Sequence, residues 1–233
     1  MPSMGLTLEL RMQPITVARP CRVPTGFHIH DHEAVEAALQ AVKRILMMSV
    51  MLTLICHAST CAVRAAAFPM DEPLDPQGHA KATALAADIR RVDAAWTSPA
   101  LRARQTAAAL ELNATIDLTL RDIDFGNWSG RSLADIEAAA PDAVTAWTTD
   151  CSVAPHGGKS IIDLFHRVAP WFETVGRTDG RVVAVTHPAV IRAAIILALD
   201  AKPDSFWRID VAPLCRVRLR GNSGRWTLLS IGV

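Results

Sequence analysis

Two uninterrupted apolar runs constrain this chain more than anything else in it. Residues 50–55 read VMLTLI and residues 182–185, inside GRVVAVTH (180–187), read VVAV; both have strand length and neither alternates with polar residues. A strand that is apolar on both sides is expected to be covered on both faces, as interior strands of a parallel sheet are. The intervening text supplies the covering layers. DPQGHAKATALAADIRR (75–91) sets Ala82, Leu85, Ala86 and Ile89 on one helical stripe, and a short apolar strand, AAWTS (94–98), follows. Helices open at Pro99 (PALRARQTAAALEL) and Pro188 (PAVIRAAIILAL), where proline is preorganised for a first turn. LCRVRLR (214–220) and WTLLSI (226–231), joined by GNSG, read as an antiparallel hairpin at a sheet edge. Strands alternating with helices predict an α/β layered fold.

The first 48 residues read differently. Pro14, Pro20, Pro24 and Gly26 break residues 1 to about 31 into a loosely attached extension. Asp31 then caps a predicted amphipathic helix, with Val35, Ala38, Leu39, Val42, Ile45 and Leu46 at helical spacing. The methionines at 47, 48 and 51 stand directly at the first strand, so a translation start there would leave out the first ~46 residues. The expected division is an N-terminal extension with one helix, 1–48, and a domain, 49–233.

Lys plus Arg number 24 against 23 Asp plus Glu, so no overall field draws the chain to nucleic acid or an anionic membrane, and any anion site must be local. No run reaches the ~18 apolar residues of a membrane span. The five cysteines, Cys21, Cys56, Cys61, Cys151 and Cys215, are odd in number and contain no Cys-x-x-Cys pair, which argues against a disulfide framework or a zinc ribbon. With no secretory signal in the first residues, a cytoplasmic protein is expected. HIHDH (28–32) could turn His28, His30 and His32 to one face of a strand, but with no fourth ligand in view these are expected to be solvent-exposed; no metal and no cofactor is expected.

The chemistry is concentrated at strand ends. His57 follows LTLIC and His187 follows VVAVT, each at the carboxyl end of an apolar run, where α/β sheets form their ligand crevice. The helix after AAWTS brings Arg102 and Arg104 to the same end. One such histidine alone reads as a half-buried ring bonded to backbone; two at matching ends with an arginine between them read as a site.

Five segments in order, LICHAST, TSPALRARQTAAAL, LRDIDFGNWSGRSLADI, PHGGKSIIDLFHRV and VVAVTHPAVIRAAI, resemble the motifs of the histidine phosphatase superfamily, which includes phosphoglycerate mutases, fructose bisphosphatases and α-ribazole phosphatases. The resemblance spans about 50–231. It implies a phosphoglycerate mutase-like three-layer α/β/α sandwich with a mostly parallel sheet. It also implies a small phosphorylated substrate, with His57 as the nucleophile that forms a phosphohistidine. Arg102 and an imidazolium at His187 would cradle the phosphoryl oxygens, and Asp122 would stand in the place of the family's general-acid glutamate. Asp124 is the alternative acid and otherwise a capping residue.

The sequence departs from the family pattern most at Cys56 and Ala58, which replace an arginine and a glycine around His57. Losing a guanidinium at a phosphate costs something like ~3 kcal/mol of transition-state binding, about two orders of magnitude in rate. Arg64 and Lys159 are candidate phosphate-binding replacements, each with the alternative of a solvated surface cation. Cys56 as a nucleophile is disfavoured, because Arg64 lies eight residues beyond it rather than closing a Cys-x5-Arg loop. Trp147 and Phe68 are either pocket walls or core. The segment after the second strand is short for the insertion by which mutases enclose a bisphosphate, so hydrolysis is expected. The other open reading is a catalytically weak or inactive protein that binds phosphorylated ligands.

Overall fold

The computed structural model describes residues 49–232 except Arg90 and Ser223, together with Glu36. The helix expected over 31–48 and the histidines of HIHDH lie outside the described residues.

In chain order the elements are β1 (Ser49–Cys56), α1 (Cys61–Arg64), α2 (Pro76–Leu85), β2 (Ala94–Thr97), α3 (Leu101–Ala109), β3 (Thr115–Ile116), α4 (Leu133–Ala139), α5 (Pro141–Thr149), α6 (Ile161–Val175), β4 (Gly180–Thr186), α7 (Pro188–Ala198), β5 (Arg216–Asn222) and β6 (Arg225–Gly232). The strands form one sheet in the order β3-β2-β4-β1-β5-β6. β3, β2, β4 and β1 run parallel, and β5 and β6 are antiparallel. The hairpin read at 214–231 is therefore the edge of a mixed, mostly parallel sheet, with helices on both faces. Among the described residues no helix is long and apolar enough to cross a membrane.

The two apolar runs become the neighbouring strands β1 and β4, paired from Val50 opposite Gly180 to Cys56 opposite Thr186. This register brings the ends of both strands level, so His57 and His187 leave the sheet side by side. One sheet face, with Val50, Leu52, Leu54, Val182 and Ala184, packs on α6 and α7 through Leu164, Val168, Ile191 and Ile195. The other, with Ile55, Val183 and Val185, packs on Ala103, Ala107 and Leu110. This second face is covered only near the carboxyl ends, where α3 lies: Met51 and Thr53 are half-buried and line a hollow of about 520 Å³ with Arg181 and Arg218. The cover expected on both faces of β1 thus holds for its last residues, Ile55 and Cys56, and fails where α3 does not reach. Those last residues carry the site.

Local signals start the helices. Asp75 caps α2 through Gly78 N–H at 2.7 Å with Pro76 behind it. Ser160 and Asp163 form a reciprocal capping box on α6. The segment expected as one helix over 75–91 is α2 followed by a single 3₁₀ turn, Ala86–Asp88.

Candidate active site

β1 ends with His57, whose N–H donates to Thr186 O at 2.9 Å, tying it to the end of β4. Its ring is 4% exposed. Nδ1 lies 2.8 Å from Ala58 O. A carbonyl only accepts, so Nδ1 carries the proton and Nε2 presents its lone pair. Burial, then the neighbouring His187 and Arg102, push the His57 pKa down to about 3, so the ring is neutral over the ordinary pH range.

One helical face supplies most of the surrounding contacts. Arg102 and Thr106 stand one turn apart on α3, with Ser98 in the turn before it, and reach the ends of β1 and β4; Gln105 turns to the 74 loop. Ser98 Oγ is 2.7 Å from His187 Nε2. Arg102 Nε donates to His57 Nε2 at 3.3 Å and its Nη1 to Met70 O at 2.7 Å. Its Nη2 donates to Asp122 Oδ2 at 2.9 Å and lies 3.2 Å from His187 Nδ1. Gln105 Oε1 accepts from Leu74 N–H. Thr106 Oγ1 accepts from Ala58 N–H at 2.9 Å and donates to Arg102 O at 2.7 Å, fixing the residue whose carbonyl orients His57.

His187 caps α7 from the end of β4, with its ring centroid 5.2 Å from that of His57 at 63°. Asp122 Oδ2 is 3.3 Å from its Nδ1. Burial, then Arg102 and Arg167, hold the His187 pKa well below the ordinary value. The ring expected as an imidazolium is therefore neutral in the unliganded site, because a fully buried ring beside a guanidinium loses more by charging than it gains.

Asp122 reaches the cluster from an irregular loop. Arg167 of α6 holds that loop by donating to Asp122 O at 3.1 Å and Arg121 O at 2.6 Å. A second clamp is backbone on backbone: Lys159 N–H donates to Asp124 O, and Asn127 N–H to His156 O. The chains cross so closely that a Cβ at Gly158 would overlap Asp124 O, which is why PHGGKS needs glycine there. Asp124 takes the capping role, its Oδ1 accepting from Gly126 N–H at 2.9 Å.

Four of the expected site residues, His57, Arg102, Asp122 and His187, thus come together. Two do not. Arg64 ends α1 and pairs with Asp75 at 3.4 Å, its side chain 56% exposed. Lys159 is exposed beside Asp163, its backbone rather than its side chain engaged in the loop crossing. Neither restores the cation missing at Cys56. Cys56 itself is buried at the strand end, and burial, with Asp122 and Cys215, pushes its thiol far up, so it stays protonated and unreactive.

A cavity of about 160 Å³ opens over the cluster, between His57 and Asp122 on its floor and Phe125, Trp147, Trp207 and Arg192 on its walls. Trp147 is both wall and core, packed with Phe68, Trp128 and Ile136; Phe68 stays in that core. The larger hollows, of about 520 and 440 Å³, touch neither histidine. The sequence reading assigns no role to Ser98, Thr106, Arg167 or Arg192. Among the described residues no group of His, Cys, Asp and Glu side chains is arranged to hold a metal.

A family model described as histidine phosphatase superfamily (branch 1) matches residues 52–233. A bifunctional protein of Mycobacterium tuberculosis is 34% identical over 131 residues, 53% of this chain and 36% of the relative. The glucosyl-3-phosphoglycerate phosphatase of Mycolicibacterium vanbaalenii is 35% identical over 121 residues, 46% of this chain and 53% of the relative. The chain thus spans about half or less of the length of these curated relatives. Among solved structures, a mycobacterial glucosyl-3-phosphoglycerate phosphatase complexed with VO3 superposes with a TM-score of 0.71 at 28% identity, covering 77% of this chain and 96% of that one. A mycobacterial hydrolase gives 0.72 at 27%, covering 78% and 97%.

Proposed function

The chain belongs to branch 1 of the histidine phosphatase superfamily, and on that premise we propose that it hydrolyses a small phosphomonoester through a phosphohistidine at His57. The observation that carries this reading is the unprotonated Nε2 of His57, its tautomer fixed by Ala58 O and its lone pair accepting from Arg102 Nε at 3.3 Å beside a neutral His187. Attack by Nε2 forms the N–P bond as the P–O bond to the leaving group breaks. Arg102 takes up charge on the phosphoryl oxygens, the main task in phosphoryl transfer, and His187, its Nε2 engaged by Ser98, turns its Nδ1 side to them as a donor. The leaving oxygen takes its proton from Asp122, which then accepts a proton from the water that cleaves the N–P bond and releases phosphate. The similar phosphatase from Mycolicibacterium vanbaalenii supports a small phosphorylated metabolite as substrate.

The second reading, a weak or inactive protein that binds phosphorylated ligands, is favoured by one observation: neither candidate replacement for the arginine missing at Cys56 reaches the site, since Arg64 is engaged by Asp75 and Lys159 is exposed. One experiment separates the two. Wild type and His57→Ala are incubated with a panel of phosphomonoesters, and released phosphate and acid-labile phosphoprotein are measured. The hydrolase reading expects both signals in wild type and neither in the variant; their absence from wild type with every ester leaves the binding protein.

A further inference from the structure

The arginine-rich segment RVRLR (216–220) takes no part in the site at His57. Along β5, Val217 and Leu219 enter the core shared with α6 and α7, so Arg216, Arg218 and Arg220 stand on the opposite face. The sheet register extends that row: they lie opposite Ile55, Thr53 and Met51 of β1, and Met51 lies opposite Arg181 of β4. This is the face that α3 covers only near the carboxyl ends of the strands. Arg181, Arg216 and Arg218 line the hollow of about 520 Å³ left there, and Arg91 joins them from the segment before β2. The lining holds four arginines and one carboxylate, Asp88. Asp88 pairs with Arg216 at 3.6 Å. Asp93 pairs with Arg91 at 3.6 Å and accepts from Arg181 N–H at 2.8 Å. Among the described residues, the side chains of Arg181 and Arg218 have no hydrogen-bond or ion-pair partner.

A nearly neutral chain, with 24 basic against 23 acidic residues, has thus gathered positive charge on one concave surface without the acids to balance it. Like charges two residues apart on a strand repel, and a bound anion relieves this. The hollow has the volume of a small-molecule site, between ~300 and ~1,000 Å³. Its concavity fits such a molecule better than the flat surface of a bilayer. The unpartnered guanidiniums belong to β4 and β5, about 10 Å apart at the backbone with β1 between them. An anion with charge spread along its length meets both walls, whereas a single phosphoryl group sits against one. Met51, Thr53 and Val183 between them carry no charge. A guanidinium fork matches phosphoryl oxygens two at a time.

We propose that this hollow binds a short chain of phosphoryl groups, free or carried on a nucleoside, through Arg181 and Arg218, with Arg91 and Arg216 at its sides. It is a second anion site, in contact with neither histidine, and it does not depend on the hydrolase reading. Affinities for tripolyphosphate, ATP and orthophosphate, without divalent cations, are measured by calorimetry on the full chain carrying His57→Ala, which cannot turn them over through His57. Tripolyphosphate is expected to bind roughly tenfold or more tighter than orthophosphate. Adding Arg181→Gln and Arg218→Gln should weaken it by roughly tenfold or more, as the loss of two charge-assisted contacts implies. Adding Arg102→Gln instead, or the exposed pair Arg177→Gln and Arg208→Gln as a control of equal charge, should change it by less than about threefold. ATP equal to tripolyphosphate places recognition in the phosphate chain, and tighter ATP adds the nucleoside; either supports the proposal. No binding, orthophosphate as tight as tripolyphosphate, an equal loss in the surface control, a loss confined to Arg102→Gln, or tighter binding of a short DNA duplex overturns it. Phenylglyoxal labelling read by peptide mass spectrometry needs no substitution in the hollow. Tripolyphosphate should protect Arg181 and Arg218 and leave Arg177 and Arg208 reactive; Arg181 and Arg218 labelled as fast as without it would overturn the proposal even if the double variant misfolds.

Discussion

The neutrality of His57 has a measurable cost in acid. Its pKa is about 3 in the fold against 6.5 for the free side chain. Above pH 6.5 neither folded nor unfolded chain holds a proton there, and the group contributes nothing to pH dependence. Below it the unfolded chain takes up a proton that the buried ring refuses, so stability is lost progressively as pH falls from 6.5 to about 3. The loss runs at about 1.4 kcal/mol per pH unit, reaching about 2 kcal/mol at pH 5 and roughly 5 kcal/mol, as an upper figure, at the end of the window. Replacing His57 by Gln removes the titrating group. Urea unfolding of wild type and His57→Gln, followed at pH 7, 6, 5.5 and 5, isolates it, because every other carboxylate and histidine is shared. The expected result is a difference in unfolding free energy that moves in favour of the variant by about 2 kcal/mol between pH 7 and pH 5. Curves that stay parallel over that range would refute the claim that His57 is held neutral by its surroundings.

Thr106→Val leaves Ala58 N–H buried without an acceptor and should lower stability by about 1–3 kcal/mol, read as a lower urea midpoint at unchanged slope, while Thr106→Ser keeps both contacts and most of the stability. Iodoacetamide at pH 8 should alkylate exposed Cys61 and leave Cys56 unmodified, as peptide mass spectrometry will show; labelling of Cys56 in the folded protein would contradict its burial. Asp122→Asn should cut kcat by roughly 100- to 10,000-fold for alkyl phosphates and much less for p-nitrophenyl phosphate, whose leaving group needs no proton; an equal loss for both would remove Asp122 from the acid role. Cys56→Arg should raise kcat/KM at pH 8 by about two orders of magnitude and shift the pH profile upward, measured with one ester at constant ionic strength.

What could be read from the sequence was whatever depends on neighbours in the chain. The apolar runs at 50–55 and 182–185 announce β1 and β4, and a histidine directly after each places both rings at one end of the sheet without knowledge of the pairing. Arg102, expected at the same end from its place in the helix after AAWTS, is carried there by α3. What escaped depends on partners distant in sequence. Arg64 and Lys159 were credible cations until Asp75 and the crossing at Gly158 turned them elsewhere, and neither partner is near in any motif. Arg167 and Arg192 lie in helical patterns where an arginine reads as solvent-facing. Only packing of α6 against the 121–122 loop, and of α7 against Phe206 and Trp207, turns them inward. The charge of His187 in the free site likewise depends on distant partners: an imidazolium is the form expected against a phosphate, whereas burial beside Arg102 holds the unliganded ring well below the ordinary histidine value.

The charges of the site explain why Cys56 matters more for which substrate form is bound than for the fold. In the free protein both histidines are neutral and Arg102 is ion-paired with Asp122 at 2.9 Å. A phosphate dianion arriving there must compete with the Asp122 carboxylate for Arg102. An arginine at position 56 would add a second guanidinium beside His57, free of that competition. Protonation of the ester, whose second pKa is about 6, weakens that competition without the arginine. It is favoured by lower pH, and His57 stays an unprotonated nucleophile down to about 3. Activity in this chain should therefore rise on the acid side of neutrality, until the unfolding driven by the same buried ring sets the lower limit.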